Sequence, residues 1–223
     1  MTADNKRNKQ TLGQGAVSGM PRLLGDRLCF DYINTLEKYH RDGPWEFLPG
    51  YDELALWGQH VRRFSPAAVA DARQWGEAHP AAATALYRQG MDLRACLTRI
   101  FTAIAKDEDP SPADLHQLQA AHWQPEVILT RPPGAEHFAW NWTQPDRLVE
   151  NLLWQVASSA VETLTTDDLG RIKECRGGAD DCGSIFYDSS RNGSRRWCSM
   201  EGCGSRAKMR RHYARSRSRS NPA

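Results

Sequence analysis

Four of the six cysteines of this 223-residue chain lie in one short segment, at Cys175, Cys182, Cys198 and Cys203. Six residues separate the first pair, four separate the second, and 15 lie between the pairs. This layout is typical of a site in which four thiolates hold one zinc ion. Glycines within and beside each pair let the chain fold back. So short a segment cannot bury enough apolar surface to fold alone, so the metal would supply its stability.

Two disulfides or a redox-active pair are the alternatives to zinc. The first residues, MTADNKRNKQTLGQG, lack the apolar core of a signal peptide, so we expect a cytoplasmic chain, in which disulfides are rare. Neither pair has the C-x-x-C spacing of a redox motif. Four thiolates leave no position for a water ligand, which favours a structural zinc over a catalytic one. Cys29 and Cys96 lie within apolar patterns and are predicted to be core residues.

Charge is distributed unevenly along the chain. Residues 1–170 hold 16 lysines and arginines against 22 acidic residues, whereas residues 171–223 hold 13 against 5. An acidic body that carries a basic module indicates a negatively charged partner, most often nucleic acid. The break also predicts two separately cooperative units, so that zinc removal would unfold the module and spare the body. No apolar run is long enough to cross a bilayer, so we expect no membrane partner.

Hydrophobic periodicity predicts a mainly α domain with a few strands (α+β), followed by a small module. Helices are predicted over 51–63, from Ser65-Pro66, over 80–106, from Ser111-Pro112 and over 146–164. Strands are predicted over 27–35, 126–130, 137–143 and 185–187. The resulting organisation is a disordered segment at 1–21, a helical domain at 22–166, a cysteine module with a basic helix at 171–215 and a disordered Arg/Ser tail at 216–223.

The stretch FYDSSRNGSRRWCSM at 186–200, followed by CGSRAK at 203–208, closely resembles the CGNR zinc finger of bacterial proteins. Ser205 stands where that family has the asparagine of its Cys-Gly-Asn-Arg motif. Serine can still act as the N-cap of a following helix. The resemblance implies a small treble-clef-like zinc finger, in agreement with Zn²⁺ ligation by the four clustered cysteines.

A second motif, LCFDYINT at 28–35, is similar to the LDFVNT segment that opens the ABATE domain, the companion of this finger. The resemblance therefore covers nearly the whole chain. It implies a bacterial transcription regulator of a family described as stress-induced, with duplex DNA as its partner. The helical domain is then expected to be a sensor for a small-molecule effector or an oligomerisation unit.

A helix that starts at Ser205 would be strongly basic. At 100° per residue, Met209 and Tyr213 share one side, which we predict docks on the zinc module. Arg206 and Arg210 are expected to read bases, because they lie near the N-terminal end of the helix. The predicted nucleic-acid contacts are Arg195, Arg196, Arg206, Lys208, Arg210, Arg211 and Arg215, of which Lys208, Arg211 and Arg215 are expected to touch phosphate. A solvated helix that touches no nucleic acid is the alternative.

Catalytic motifs are absent: the chain has no H-E-x-x-H, no phosphate-binding loop and no G-x-S-x-G, so we expect no enzymatic activity. Two alternatives to DNA binding stay open. The finger could be a protein- or RNA-interaction module, or the helical domain could be an enzyme or a sensor with a purely structural zinc. Asp31 and Asn34 are the candidates for lining a ligand pocket there, and side-chain hydrogen bonds that fix their segment to its neighbours are the alternative explanation.

Overall fold

A computed structural model describes residues 17–37, 43–123, 127–131, 134, 136–142, 147–177 and 182–220. Within these ranges the helices are α1 (Leu28–Ile33), α2 (Tyr51–His60), α3 (Pro66–Ala78), α4 (Pro80–Ile104), α5 (Pro112–His122), α6 (Leu148–Thr166) and α7 (Ser205–Ser220). The strands are β1 (Leu36–Glu37), β2 (Trp45–Glu46), β3 (Val127–Thr130), β4 (Ala139–Trp142), β5 (Ile172–Glu174) and β6 (Ile185–Tyr187). They pair in sequence as three antiparallel hairpins. The predicted mainly helical fold with a few strands is confirmed.

Serine-proline pairs begin two of the helices, as predicted. The Ser65 hydroxyl accepts a hydrogen bond from the backbone N–H of Ala68, at 3.1 Å, before α3. Ser111 accepts one from Ala113, at 3.3 Å, before α5. In both helices proline occupies the first turn, where its missing N–H costs nothing. No helix within the described residues is long and apolar enough to span a bilayer.

The segment 28–33 is a helix, and the strand predicted for 27–35 is wrong. Cys29, Phe30, Tyr32 and Ile33 are the buried residues of α1. Their spacing of one, three and four positions is that of one helix face, whereas a strand would bury alternate residues. The abundance of β-branched and aromatic residues misled the prediction, because propensity yields to burial when a segment lies at the centre of a core.

Helix α1 lies at the centre of the helical core and packs against α4 and α6. Phe30 meets Phe101 of α4 edge to face, with ring centroids 4.8 Å apart. The Tyr32 hydroxyl donates to the Gly90 carbonyl of α4 at 2.7 Å, which satisfies a fully buried phenol. Cys29 and Cys96 are buried in the same core, as predicted. Because α1 is held in the core by these contacts, the positions of the residues just before and just after it are also fixed.

The C-terminal hairpin β5-β6 joins the helical core instead of standing apart. Ile172 and Ile185 are buried in the helical core, whereas Phe186 belongs to a second cluster with the four cysteines. Alternate residues of a strand face opposite sides, so β6 packs on both units at once. The backbone N–H of Tyr187 also donates to the carbonyl of Gly25, at 2.9 Å. The two domains thus share one continuous interface.

Both segments predicted to be disordered are partly ordered. Residues 1–16 lie outside the described part, but Met20 is buried in the helical core and the backbone N–H of Val17 donates to His60 Nδ1, at 3.2 Å. At the other end α7 continues to Ser220, past the predicted end at Arg215. Arginine is a good helix former and no proline occurs before Pro222, so nothing local stops the helix.

Candidate metal centre and nucleic-acid interface

The structure brings the four predicted cysteine ligands together. The Sγ atoms of Cys175, Cys182, Cys198 and Cys203 lie within 4.8 Å of one another, and all four residues are buried. Cys198 Sγ is 3.5 Å from that of Cys182 and 3.7 Å from that of Cys203. Zn–S bonds of about 2.3 Å in a tetrahedron place sulfurs about 3.8 Å apart. The donor set and its dimensions therefore fit one zinc-sized ion with four thiolate ligands.

Local structure explains how each half of the cluster forms. Cys175 follows β5 directly, and its backbone N–H donates to the Ser184 carbonyl, at 2.9 Å, which closes the first turn. The second pair is held by a π-helical turn, Met200–Gly204, which runs into α7. Ser199 caps this turn by accepting a hydrogen bond from the Gly202 N–H, at 3.1 Å. Gly177 allows the close approach of the two halves, because a Cβ there would lie 3.1 Å from Cys203 Sγ and would push the halves slightly apart.

Hydrogen bonds and a guanidinium favour the thiolate form of two of the four cysteines, Cys182 and Cys203. Hydrogen bonds within the cluster, from Cys182 first for Cys175 and from Cys175 first for Cys198, raise the pKa of the other two. The Cys198 backbone N–H donates to Cys175 Sγ at 3.2 Å, and Arg206 donates to Cys203 Sγ at 3.0 Å. Hydrogen bonds from Cys175 and then Cys198 lower the pKa of Cys182 to about 6, although Cys203 and burial oppose the shift. The pKa of Cys203 is lowered for the same reason, and Arg206 acts in the same direction. The thiolate is the form that binds metal.

Comparison with protein families agrees with this geometry. Residues 171–216 match the CGNR zinc finger, and residues 26–167 match the ABATE family, whose description reads "Putative stress-induced transcription regulator". The chain belongs to the ABATE family. A search of curated proteins finds no match to it. In this ABATE protein the family motifs coincide with the buried cysteine cluster and with α1, so both resemblances seen in the sequence are confirmed.

Asp188 organises the loop between β6 and the second cysteine pair, a role that sequence reasoning missed. It is fully buried and accepts hydrogen bonds from Lys173 Nζ, at 2.6 Å, from the Ser190 hydroxyl and from the Arg195 backbone N–H, at 2.8 Å. Burial opposes its ionisation, but these hydrogen bonds outweigh burial and lower the pKa of Asp188 to about 2. An aspartate directly after a buried strand was the available signal.

Arg195, a predicted nucleic-acid contact, instead joins the two domains of this ABATE protein. Its guanidinium donates to the Asp26 carboxylate at 2.5 Å, to the Leu24 carbonyl at 3.2 Å and to the Cys198 carbonyl at 2.6 Å. It also lies 4.5 Å from the centre of the Phe186 ring. A guanidinium with this many protein partners is held inward, so we leave Arg195 out of the nucleic-acid surface.

Asp31 and Asn34 both bind backbone groups. Asp31 accepts from the N–H groups of Leu24, at 2.9 Å, and Gly25, at 2.8 Å. The amide of Asn34 exchanges two hydrogen bonds with the backbone of Ile185 in β6. Burial raises the pKa of Asp31 to about 6, although both N–H donors oppose the shift. These bonds support the alternative explanation, and we set the pocket interpretation aside.

Helix α7 docks on the metal centre through arginines, and the predicted docking of Met209 and Tyr213 is wrong. Those two residues are 56% and 65% exposed. Arg206 contacts Cys203 Sγ, and Arg210, one turn later, donates to the Gly177 carbonyl. The docked face is polar because the acceptors opposite it are sulfur atoms and backbone carbonyls. These acceptors bind a guanidinium group more strongly than they bind an apolar side chain. This placement argues against the base-reading role expected of Arg206 and Arg210.

Ser205 does not cap α7, contrary to the role allowed for it. It is the first residue of α7, and its hydroxyl donates to the Met200 carbonyl at 3.2 Å. Ser199 caps the helical unit instead, because the π-helical turn and α7 are continuous and the first free N–H groups belong to that turn.

The other predicted contacts fall in three places. Lys208 and Arg211 are exposed on α7, and Arg211 lies 6.0 Å from the Trp197 ring centre. The side chain of Arg215 lies outside the described residues. Arg196 is exposed on a different part of the finger, where its carbonyl accepts from the Arg176 N–H at 3.0 Å. Sequence reasoning did not single out Arg176 as a neighbour of Arg196, although its place directly after Cys175 was a signal that it lies at this part of the finger.

Proposed function

We propose that this ABATE protein is a cytoplasmic DNA-binding transcription regulator that binds duplex DNA through the outward face of α7. The observation that carries the proposal is that α7 is strongly basic and is held against the cysteine cluster. Residues 205–220 contain seven basic residues and no acidic one, and the helix is fixed to the buried cysteine centre by Arg206 and Arg210. A rigidly held, uniformly basic helix supplies both affinity for phosphate and a defined orientation on the duplex.

The face that would meet DNA follows from the docking geometry. At 100° per residue, Lys208 lies about 200° from Arg206, and Arg211 lies about 140° from it. Both are exposed, and the side-chain ammonium of Lys208 has no hydrogen-bond or ion-pair partner within the described part of the chain. Their charges are therefore available to phosphates. The salt-dependent part of binding would come from this face.

We infer that the metal is zinc. Four thiolates in a closed tetrahedral arrangement suit a structural zinc and leave no open coordination position. When bound, zinc would cross-link β5, the turn after it and the start of α7. The proposed role is accordingly that of a binding protein without catalytic activity, and the four cysteines would keep α7 in place.

A protein or RNA partner is the second candidate, and one observation favours it. Met209 and Tyr213 are both exposed on α7, four residues apart, and so form a small apolar strip on the helix surface. Such a strip beside basic residues suits a partner with an apolar groove, or stacking of an unpaired base on Tyr213.

The deciding experiment measures binding of the zinc-loaded full chain to DNA duplexes of selected and of random sequence, and to single-stranded RNA. Each measurement is repeated over a series of salt concentrations. We expect Lys208→Ala and Arg211→Ala each to weaken binding to all duplexes and to lower the salt slope by about one unit. The matched control is Arg88→Ala, which removes an exposed arginine of α4 and should leave binding unchanged. Unchanged DNA binding in both α7 variants, with loss of RNA or protein binding in Tyr213→Ala, would favour the second candidate.

A further inference from the structure

A cleft of about 790 Å³ opens between the helical domain and the finger. One wall is the C-terminal end of α4, with Ile104, Ala105 and Asp107. The opposite wall consists of β5 with its flanking residues and the segment 193–196. Clefts of this size at domain boundaries are common places for small ligands.

Basic side chains dominate the charge of the cleft. Four basic residues, Lys173, Arg176, Arg195 and Arg196, line it against two acidic ones, Asp107 and Glu174. Lys173 and Arg195 already have carboxylate partners, in Asp188 at 2.6 Å and in Asp26 at 2.5 Å. They support the walls and are not available to a ligand.

The remaining two arginines are the unusual feature of this cleft. Arg176 and Arg196 are both exposed, and neither guanidinium has a hydrogen-bond or ion-pair partner among the described residues. The Arg176 N–H donates to the Arg196 carbonyl at 3.0 Å, which holds the two residues side by side. Two arginines held side by side at the backbone can place their guanidinium groups on one phosphate, to which each can donate two parallel hydrogen bonds.

The other end of the cleft has a different character. Leu169 and Gly170 line it just before β5, whereas Arg176 follows β5. The three-residue strand β5, about 10 Å long, lies between these two ends. Leu169 gives this end apolar surface, and Ile104, Asp107 and the carbonyl end of α4 add apolar surface and hydrogen-bond acceptors to the lining of the cleft. The cleft thus has a cationic end for an anion, and its lining also offers apolar surface and acceptors for the rest of the ligand.

We propose that this cleft binds a phosphate-bearing small molecule of nucleotide size. Its phosphates lie between Arg176 and Arg196, and its less polar part lies against Leu169 and Ile104. A ligand in this position touches both domains, so it stabilises their association. The proposal does not depend on DNA binding by α7, because the residues that carry it lie outside that helix.

The test titrates adenosine diphosphate, adenosine and inorganic pyrophosphate into the zinc-loaded full chain by calorimetry. Adenosine diphosphate is expected to bind more tightly than pyrophosphate, and adenosine to bind weakest. Arg176→Ala and Arg196→Ala should each reduce affinity for the diphosphate by about tenfold or more, since each removes charge-assisted hydrogen bonds. Arg196→Lys should fall between wild type and Arg196→Ala, because it keeps the charge and loses the fork. Arg191→Ala, an exposed arginine of the finger outside the cleft, is the matched control.

Metal content and melting temperature of each variant show whether the cleft is intact. The proposal is overturned if neither phosphate compound binds the wild-type chain, or if Arg176→Ala and Arg196→Ala both bind the diphosphate as well as wild type. It is also overturned if adenosine binds as tightly as the diphosphate. Loss of zinc in Arg176→Ala, without any phosphate binding by wild type, would mean that these arginines balance the charge of the metal centre. If the Arg176 and Arg196 variants lose binding to duplex DNA but not to the phosphate compounds, the proposal is also overturned and the cleft is part of the nucleic-acid surface.

Discussion

The side-chain amide of Asn34 forms both hydrogen bonds that a neighbouring strand would offer to Ile185. Its Nδ2 donates to the Ile185 carbonyl at 2.8 Å, and its Oδ1 accepts from the Ile185 N–H at 2.9 Å. Asn34 ends α1 and Ile185 begins β6. One side chain of the helical domain therefore completes the hydrogen bonding of the finger's hairpin. A displacement of the finger would break these bonds, so α1 and the hairpin are expected to move together.

Replacement of Asn34 by alanine should destabilise the whole chain. Both backbone groups of the buried Ile185 would lose their partners, which costs about 1–3 kcal/mol in the free energy of unfolding. Urea unfolding followed by circular dichroism measures the change. Asn192→Ala, at an exposed position of the finger, is the control and should change stability by less than about 0.5 kcal/mol. Equal stability of Asn34→Ala and wild type would contradict the connection described above.

Each of the four clustered cysteines should be needed for metal binding. We expect one zinc ion per chain in protein prepared under reducing conditions, and loss of that ion at equimolar zinc in Cys203→Ser, because hydroxyl is a far poorer zinc ligand than thiolate. Elemental analysis together with thiol titration measures this. Cys96→Ser is the control, since the buried Cys96 lies in the helical core and its Sγ bonds the Asp114 carbonyl instead. Full metal content in Cys203→Ser would exclude the four-cysteine centre.

Metal removal should weaken the helical domain as well as the finger. The charge break near residue 168 predicts independent units, but Ile172 and Ile185 are buried in the helical core and Asn34 binds Ile185. Loss of zinc should therefore expose part of that core. Hydrogen exchange after chelation is expected to show lost protection in α1 and β5, with α3 among the helices affected least, because its main contacts are with α2, α4 and α6. Unchanged protection of α1 would restore the independent-unit interpretation.

The partly buried Asp31 should make the free energy of unfolding depend on pH between its ordinary pKa of 3.8 and about 6. Burial raises its pKa in the folded chain, so the protonated form is favoured on folding, and this contribution is lost as pH rises through about 6. In Asp31→Asn the side-chain oxygen can still accept from the Leu24 and Gly25 N–H groups. The variant should therefore gain stability relative to wild type as pH rises, by up to about 3 kcal/mol.

Urea unfolding of both proteins across that pH range checks the prediction. Asp71→Asn, at an exposed position of α3, is the control and should show a constant difference from wild type. A difference between Asp31→Asn and wild type that does not change with pH would mean that Asp31 titrates normally.

Elements with strong local signals were predictable. Ser65 and Ser111 cap their helices because capping is a contact between near neighbours in sequence, and the 3.6-residue period of α4 runs through 25 residues. The segment 28–33 was predicted wrongly because its six residues are too few to show a period, and their composition favours a strand. Its helical form depends on packing against α4 and α6, which are distant in sequence.

The sequence by itself determined the four clustered cysteines, the family and the basic character of the last helix. Each of these rests on residue type and spacing within a short segment. Only the tertiary structure decided which face of α7 is covered, because Arg206 and Arg210 turn toward Cys203 and Gly177 and leave Met209 exposed. Partners such as Asn34 and Ile185 are 151 residues apart, and no local pattern encodes a contact over that distance. Arg195 and Asn34 connect the two domains through burial and hydrogen bonds. These contacts exist only once the chain is folded, so the sequence could not show this role.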